Sequence, residues 1–266
     1  MAGFLAGAYI AFGAMVAISV SSGLKPDTWG TLPTLFAGSI FALGLVLVVI
    51  AGAELLTGNM ALVPLAAFRG KTTLRALVQN FGWVLIGNLI GSLFVAYFLA
   101  VQSGVMTDEL PLARLGEIAS KKAIEETEWQ IFLRAVGCNW LVCLAVWMAM
   151  GAEDIAGKVL AIFFPIMAFV AMGFDHVVAN MFFIPAAIFA NVPDITWADA
   201  LHNWAFAFLG NLVGAAICVA LGYWYLYGRP QDSQADKGTG DTERTGAFDG
   251  SRGRDVSDRE TTRSGA

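Results

Sequence analysis

Charged side chains are missing from long stretches of the chain: residues 1–24, 28–53, 76–107, 135–152, 159–174, 177–193 and, with His202 as the one titratable group, 200–228. Each stretch is apolar all round rather than on one face, the pattern of a helix with no water-facing side. A helix needs about 20 apolar residues to cross a bilayer core. The pattern therefore predicts an all-α membrane protein with six spans, over residues 3–24, 33–56, 79–104, 131–151, 158–174 and 201–227. Short apolar extensions at 60–68 and 177–190 follow the second and fifth spans, so those two read as interrupted rather than ended. Broken backbone at membrane depth is tolerated only where it is buried in protein or lines a cavity.

The two interruptions have similar sequences. GAELLTGNM (residues 52–60) and GFDHVVANM (173–181) share a first Gly, an acid in third place and a final Asn-Met, 121 residues apart. NFGWVLIGNLIG (80–91) returns as NWAFAFLGNLVG (203–214), 123 residues on. Spans 1–3 and 4–6 thus read as copies, in halves of roughly 1–105 and 130–228 joined by a long loop at 102–130. Three spans is an odd number, so the copies enter the membrane from opposite sides. Such an inverted 3+3 repeat, with broken segments at matching positions, points to a transport site. Taken alone, the GNL(I/V)G motif reads as helix packing: Gly87, Gly91, Gly210 and Gly214 let backbones approach, and Asn88 and Asn211 can hydrogen-bond across helices.

Composition agrees with the pattern, at 57% apolar and 14% charged residues against about 45–50% and about 25% in soluble domains. The first apolar stretch has no basic segment before it and runs on too far for a cleaved leader, so it reads as a retained span. Basic residues mark the cytoplasmic side. With both termini inside, Arg69, Lys71, Arg75 and Lys158 face the cytoplasm, while Lys25, Arg114, Lys121 and Lys122 lie outside. Trp29, Trp129 and Trp197 then form an outer aromatic belt, and Tyr223, Trp224, Tyr225 and Tyr227 an inner one. From Arg229 onward, eight acids and seven bases accompany only two large apolar residues, Phe248 and Val256, so 229–266 reads as a disordered cytoplasmic tail.

The candidate chemistry sits at the breaks. Half-helices beginning just after them would aim their positive N-terminal ends inward, each carrying about half a charge and suited to an anion. His176 adds a charge that is conditional near neutral pH, and reads as a proton donor or relay. Glu54, Asn59, Asp175 and Asn180 read as supports of the breaks; both acids would repel an anion if they lined its path. Lys122 can concentrate anions at the mouth by steering. Cys138, Cys143 and Cys218 lie inside apolar spans without disulfide or metal spacing. No nucleophile–base pair or His-Glu-x-x-His pattern is present, so an enzyme, a metal centre, a cofactor and a nucleic-acid partner are not expected. A neutral-solute channel of aquaporin type is the alternative, although its usual Asn-Pro-Ala is replaced by Gly58-Asn-Met60 and Ala179-Asn-Met181.

GAELLTGNM (52–60), CNWLVCLAVW (138–147) and GFDHVVANMF (173–182), in this order, resemble the formate/nitrite transporter family, over residues 1–228. The resemblance implies an aquaporin-like protomer of six helices in a homopentamer with one pore per protomer, passing formate, nitrite, hydrosulfide, acetate or lactate. It implies His176 as the pore histidine, Thr57 as its hydrogen-bond partner and Asn139 as a nearby polar group. Phe41, Leu45, Leu55, Leu56, Val142 and Phe169 fall at constriction positions, and Lys122 at the outer vestibule. Leu56 stands where some members have Phe, Asp175 where Glu is more usual, and the family's helix before the first span is not found ahead of residue 3.

Overall fold

The computed structural model describes residues 1–228; the expected tail, 229–266, lies outside the described residues. These are helical with no strand among them. The helices are α1 (Ala2–Ser21), the single turn α2 (Pro26–Trp29), α3 (Leu32–Ile50), α4 (Leu56–Phe68), α5 (Leu74–Phe94), α6 (Glu109–Ser120), α7 (Glu128–Gly151), α8 (Ile155–Ala171), α9 (Val177–Phe189) and α10 (Trp197–Val213). Wider π-type turns extend α5 to Gln102, α6 to Glu125 and α10 to Leu221. Five helices are long and apolar enough to cross a membrane: α1, α3, α5 with its extension, α7, and α10 with its extension. With the shorter apolar α4, α8 and α9, they make a multi-pass membrane protein.

Residues 102–130, expected as loop, contain α6. The charges in ELPLARLGEIAS hid it from a reading based on uncharged runs. Leu115 and Ala119 are buried one turn apart, which is the stripe of an amphipathic helix. Lys122 falls on the continuation of that stripe and is itself only 8% exposed.

α1 packs on α3 and α5, while α7 packs on α8 and α10. Glycine sets how closely they approach. A Cβ at Gly91 would lie 2.0 Å from the Phe4 carbonyl oxygen, and one at Gly214 2.2 Å from that of Val136. Side chains cannot relieve a clash with backbone, so only hydrogen fits.

Both breaks are made alike. α3 ends at Ile50 and α4 begins at Leu56; α8 ends at Ala171 and α9 begins at Val177. Gly52 (φ +78°) and Gly173 (φ +69°) turn the chain through the left-handed region, which costs glycine nothing. The Ala53 N–H then reaches back to Val48 O (2.9 Å) and the Phe174 N–H to Phe169 O (3.0 Å), the six-to-one bond of a Schellman motif. Leu55 and His176 follow in extended conformation, and α4 and α9 each run 13 residues with a proline inside, Pro64 and Pro185.

One amide clamps each break. Asn88 Oδ1 accepts from the Leu56 N–H (2.9 Å), and its Nδ2 donates to Glu54 O (2.9 Å) and Gly3 O (2.8 Å). Asn211 Oδ1 accepts from the Val177 N–H (2.9 Å), and its Nδ2 donates to Asp175 O (2.9 Å) and Ala135 O (2.8 Å). Each side chain therefore satisfies both sides of a gap in the helical ladder and ties it to the helix opening its own half. Both asparagines are fully buried, where an orphaned polar group costs about 1–3 kcal/mol.

Two predictions follow from this packing. Gly91→Ala and Gly214→Ala should each destabilise the detergent-solubilised protein by roughly 1–3 kcal/mol or more. Gly82→Ala, on α5 with nothing within 4 Å of the new Cβ, should be neutral or stabilising by up to about 1 kcal/mol. Asn88→Ala and Asn211→Ala should each cost about 3 kcal/mol, since several backbone groups lose partners at once. Thermal unfolding of the five variants in one detergent measures all of these.

Candidate functional site

The N-terminal ends of α4 and α9 meet. Thr57, the second residue of α4, has its Oγ1 2.8 Å from Nε2 of His176, the residue that caps α9. His176 Nδ1 accepts from the Ala179 N–H (3.1 Å). A ring nitrogen that accepts carries no proton, so the imidazole is neutral and its proton sits on Nε2. Nε2 therefore donates to the Thr57 hydroxyl. The His176 ring stacks on Phe169 at a centroid distance of 6.1 Å, and Phe169 meets Phe41 edge-on at 5.8 Å.

His176 lies between two spaces. A cavity of about 210 Å³ opens on one side, and its walls include Arg114, Glu117, Lys121, Lys122 and Glu126 toward α6 and Phe41, Phe169 and His176 deeper in. Beyond the aromatic pair, a void of about 10 Å³ is lined by Ile10, Phe41, Leu45, Leu55, Val142, Ile166, Phe169 and His176. Of the residues expected at a constriction, Phe41, Leu45, Leu55, Val142 and Phe169 thus gather around the histidine. Leu56 does not line either space; it is fully buried on the first turn of α4. Asn139 stands behind Thr57: its Nδ2 donates to Thr57 O (3.1 Å) and to Asn211 O (2.9 Å).

The break supports differ between the halves. Asn59 donates to Asn80 Oδ1 (3.0 Å), and its counterpart Asn180 donates to Asn203 Oδ1 (2.8 Å) and to Asp175 Oδ1 (2.9 Å). Asp175 is wholly buried and paired with the Lys122 ammonium at 2.8 Å. Its hydrogen-bond partners are the side chains of Lys122 and Asn180. Lys122 also donates to Phe174 O (3.4 Å) and is held through its own carbonyl by Asn203 (3.0 Å). Glu54 is exposed and meets the clamp only through its backbone carbonyl. Lys121, next to Lys122, lines the cavity near Gly173.

Glu126 and Arg134, which pair with each other, are residues that sequence reasoning missed, along with Arg114 and Asn203. Glu126 is 8% exposed. Burial first, and then the negative charge of Asp175, push its carboxyl up to about 7, against the opposing pull of Lys122 and Arg134. Its sequence signal was a single acid within a charged stretch, indistinguishable there from Glu125 or Glu128. Among the described residues, no cluster of His, Cys, Asp and Glu could hold a metal ion.

This arrangement puts charged side chains of both signs at a cavity mouth and the neutral His176 ring, hydrogen-bonded to Thr57 behind it, at its floor among apolar walls. The chain is also similar to known proteins. The profile of the formate/nitrite transporter family matches residues 1–225. The chain is 47% identical to the uncharacterized transporter YrhG of Bacillus subtilis, over 88% of this chain and 86% of that protein. It is also 47% identical to a probable formate transporter of Methanothermobacter thermautotrophicus, over 84% and 86%. A solved structure described as a pentameric formate channel with formate bound superposes with a TM-score of 0.76 at 30% identity, covering 86% of this chain and 96% of that one. On sequence and structure together, the chain belongs to the formate/nitrite transporter family.

Proposed function

We propose that this protein passes small monovalent weak-acid anions of the formate and nitrite type across the cell membrane, with His176 supplying or relaying a proton on the way. The observation that carries the reading is the position of His176: the chain's two broken helices meet at its ring, a charged-rim cavity ends on it, and an apolar void follows it. A charge cannot cross an apolar gap cheaply, whereas a neutral acid can. A permanently charged side chain at that depth would hold an anion rather than release it. The Thr57–His176 pair offers hydrogen-bond donors without a fixed charge.

The path runs from the Lys122 side of the cavity, where positive charge gathers anions, to the floor. There the anion meets the Nε2 proton in place of Thr57. To give up that proton the ring must gain another at Nδ1, where the Ala179 N–H now sits. Proton transfer is therefore coupled to loosening the first turn of α9. Phe41, Leu45, Leu55, Val142 and Phe169 form the slit that the neutral acid crosses.

The matched clamps, glycines and half-helices support six spans in an inverted repeat, and the basic residues Arg69, Lys71, Arg75 and Lys158 support cytoplasmic termini. The pentameric formate channel among the similar structures supports a homopentamer.

The test is flux in proteoliposomes across about pH 5–8 with an imposed proton gradient. Formate and nitrite should enter with protons, and glycerol should not; glycerol swelling without formate flux would instead make this a neutral-solute channel. His176→Asn, which keeps an N-cap side chain but cannot titrate, should lower proton-coupled formate flux about 100-fold, the scale of general acid catalysis. Unchanged flux at every pH would remove the histidine from the mechanism. Thr57→Val, which deletes one hydrogen bond of about 1 kcal/mol, should lower it up to about tenfold.

A further inference from the structure

Two buried carboxylate oxygens have no hydrogen-bond partner: Oε2 of Glu126, which lines the cavity, and Oδ2 of Asp175 behind it. Their sister oxygens are engaged. Arg134 donates to Glu126 Oε1, and Lys122 (2.8 Å) and Asn180 (2.9 Å) donate to Asp175 Oδ1. The two carboxyl groups adjoin within hydrogen-bonding reach. Ionised carboxylates only accept, so two of them side by side repel and leave both oxygens orphaned. A single proton between them turns the repulsion into a hydrogen bond and satisfies both.

We infer that Glu126 and Asp175 form a shared-proton carboxyl pair, a proton-binding site in the cavity wall separate from His176, which sets the charge an arriving anion meets. This rests on the anion-transport reading for its consequence, but not for its chemistry. The groups around the pair are Lys121 and Lys122 from the end of α6, Arg134 and the Cys138 thiol from α7, and His176 next to Asp175; on the α10 side Asn203 is uncharged, and His202 is engaged with Glu128 at 3.3 Å. Arg114 and Glu117, farther out on α6, pair with each other at 2.6 Å.

With both acids ionised, Lys122, Arg134, Glu126 and Asp175 sum to zero. With one proton shared, they sum to one positive charge. The proton arrives from cavity water and leaves the same way, and no other bond changes. With the Glu126 carboxyl pushed up to about 7 by burial and by Asp175, the positive state fills as pH falls through neutrality and empties as pH rises. Anions should then bind more weakly in alkaline conditions, whatever His176 does.

The experiment uses the full chain in lipid and two readouts. Infrared difference spectra between about pH 6 and 8 should show a protonated-carboxyl band that titrates near neutrality and is missing in Glu126→Gln. Formate KM should rise about fivefold over that range in the wild type, as one unit of local charge is lost. In Glu126→Gln, a permanent stand-in for the protonated acid, KM should stay at its low-pH value. Arg134→Gln, which removes a charge favouring ionised Glu126, should move the band's midpoint upward, and this keeps the test alive if the glutamine variant does not fold. A wild type that carries no formate would overturn the transport reading while the band still reports on the pair. Formate flux without the band, or a KM in Glu126→Gln that follows pH as the wild type does, would overturn the shared proton.

Discussion

Everything near the site depends on how interrupted backbone is satisfied away from water. Opening a helix leaves N–H and carbonyl groups that lipid cannot serve, and here one buried amide per half takes them up. Asn88 accepts from the residue that starts α4 and donates to Glu54 within the break; Asn211 does the same for α9, donating to Asp175. An amide can do this because it carries an acceptor and two donors on one small group. Neither aspartate nor leucine of similar size offers both.

The clamps also fix the functional pair. Asn211 is held in turn by Asn139, whose Nδ2 bonds the Asn211 and Thr57 carbonyls together. The α4 start, the α9 start and the α10 amide thus form one connected unit. His176 takes its tautomer from the same unit, because the first turn of α9 supplies the N–H that occupies Nδ1. Structure and chemistry cannot be separated at this residue: the ring that faces the cavity is also the cap of the helix behind it.

Much of this was legible in the sequence, and the gaps have physical causes. The uncharged runs located the long helices and both breaks to within a few residues, because lipid penalises charge so heavily. The repeated GNL(I/V)G motif was visible too, yet it was read as packing. Its glycines do pack, but the partners of Asn88 and Asn211 across the breaks lie more than 30 residues away in sequence, a contact no local pattern encodes. α6 was passed over because its apolar stripe is interleaved with charge. Glu126 was invisible for a related reason: it differs from the neighbouring acids only by being buried, which the fold decides. The meeting of Thr57 and His176 came from family resemblance; spacing alone would not have paired them across 119 residues.

The two breaks share their backbone but not their charges. Asp175 has Lys122 at 2.8 Å, whereas Glu54 at the matching position is exposed and, among the described residues, has no such ion pair. A molecule built from two near-equal halves would otherwise be indifferent to which way round it sits. One lysine, delivered by the end of α6 in the segment that joins the halves, removes that indifference. The protein therefore has a front and a back in the electrical sense, and a vesicle that holds it in random orientation presents both on its outer surface.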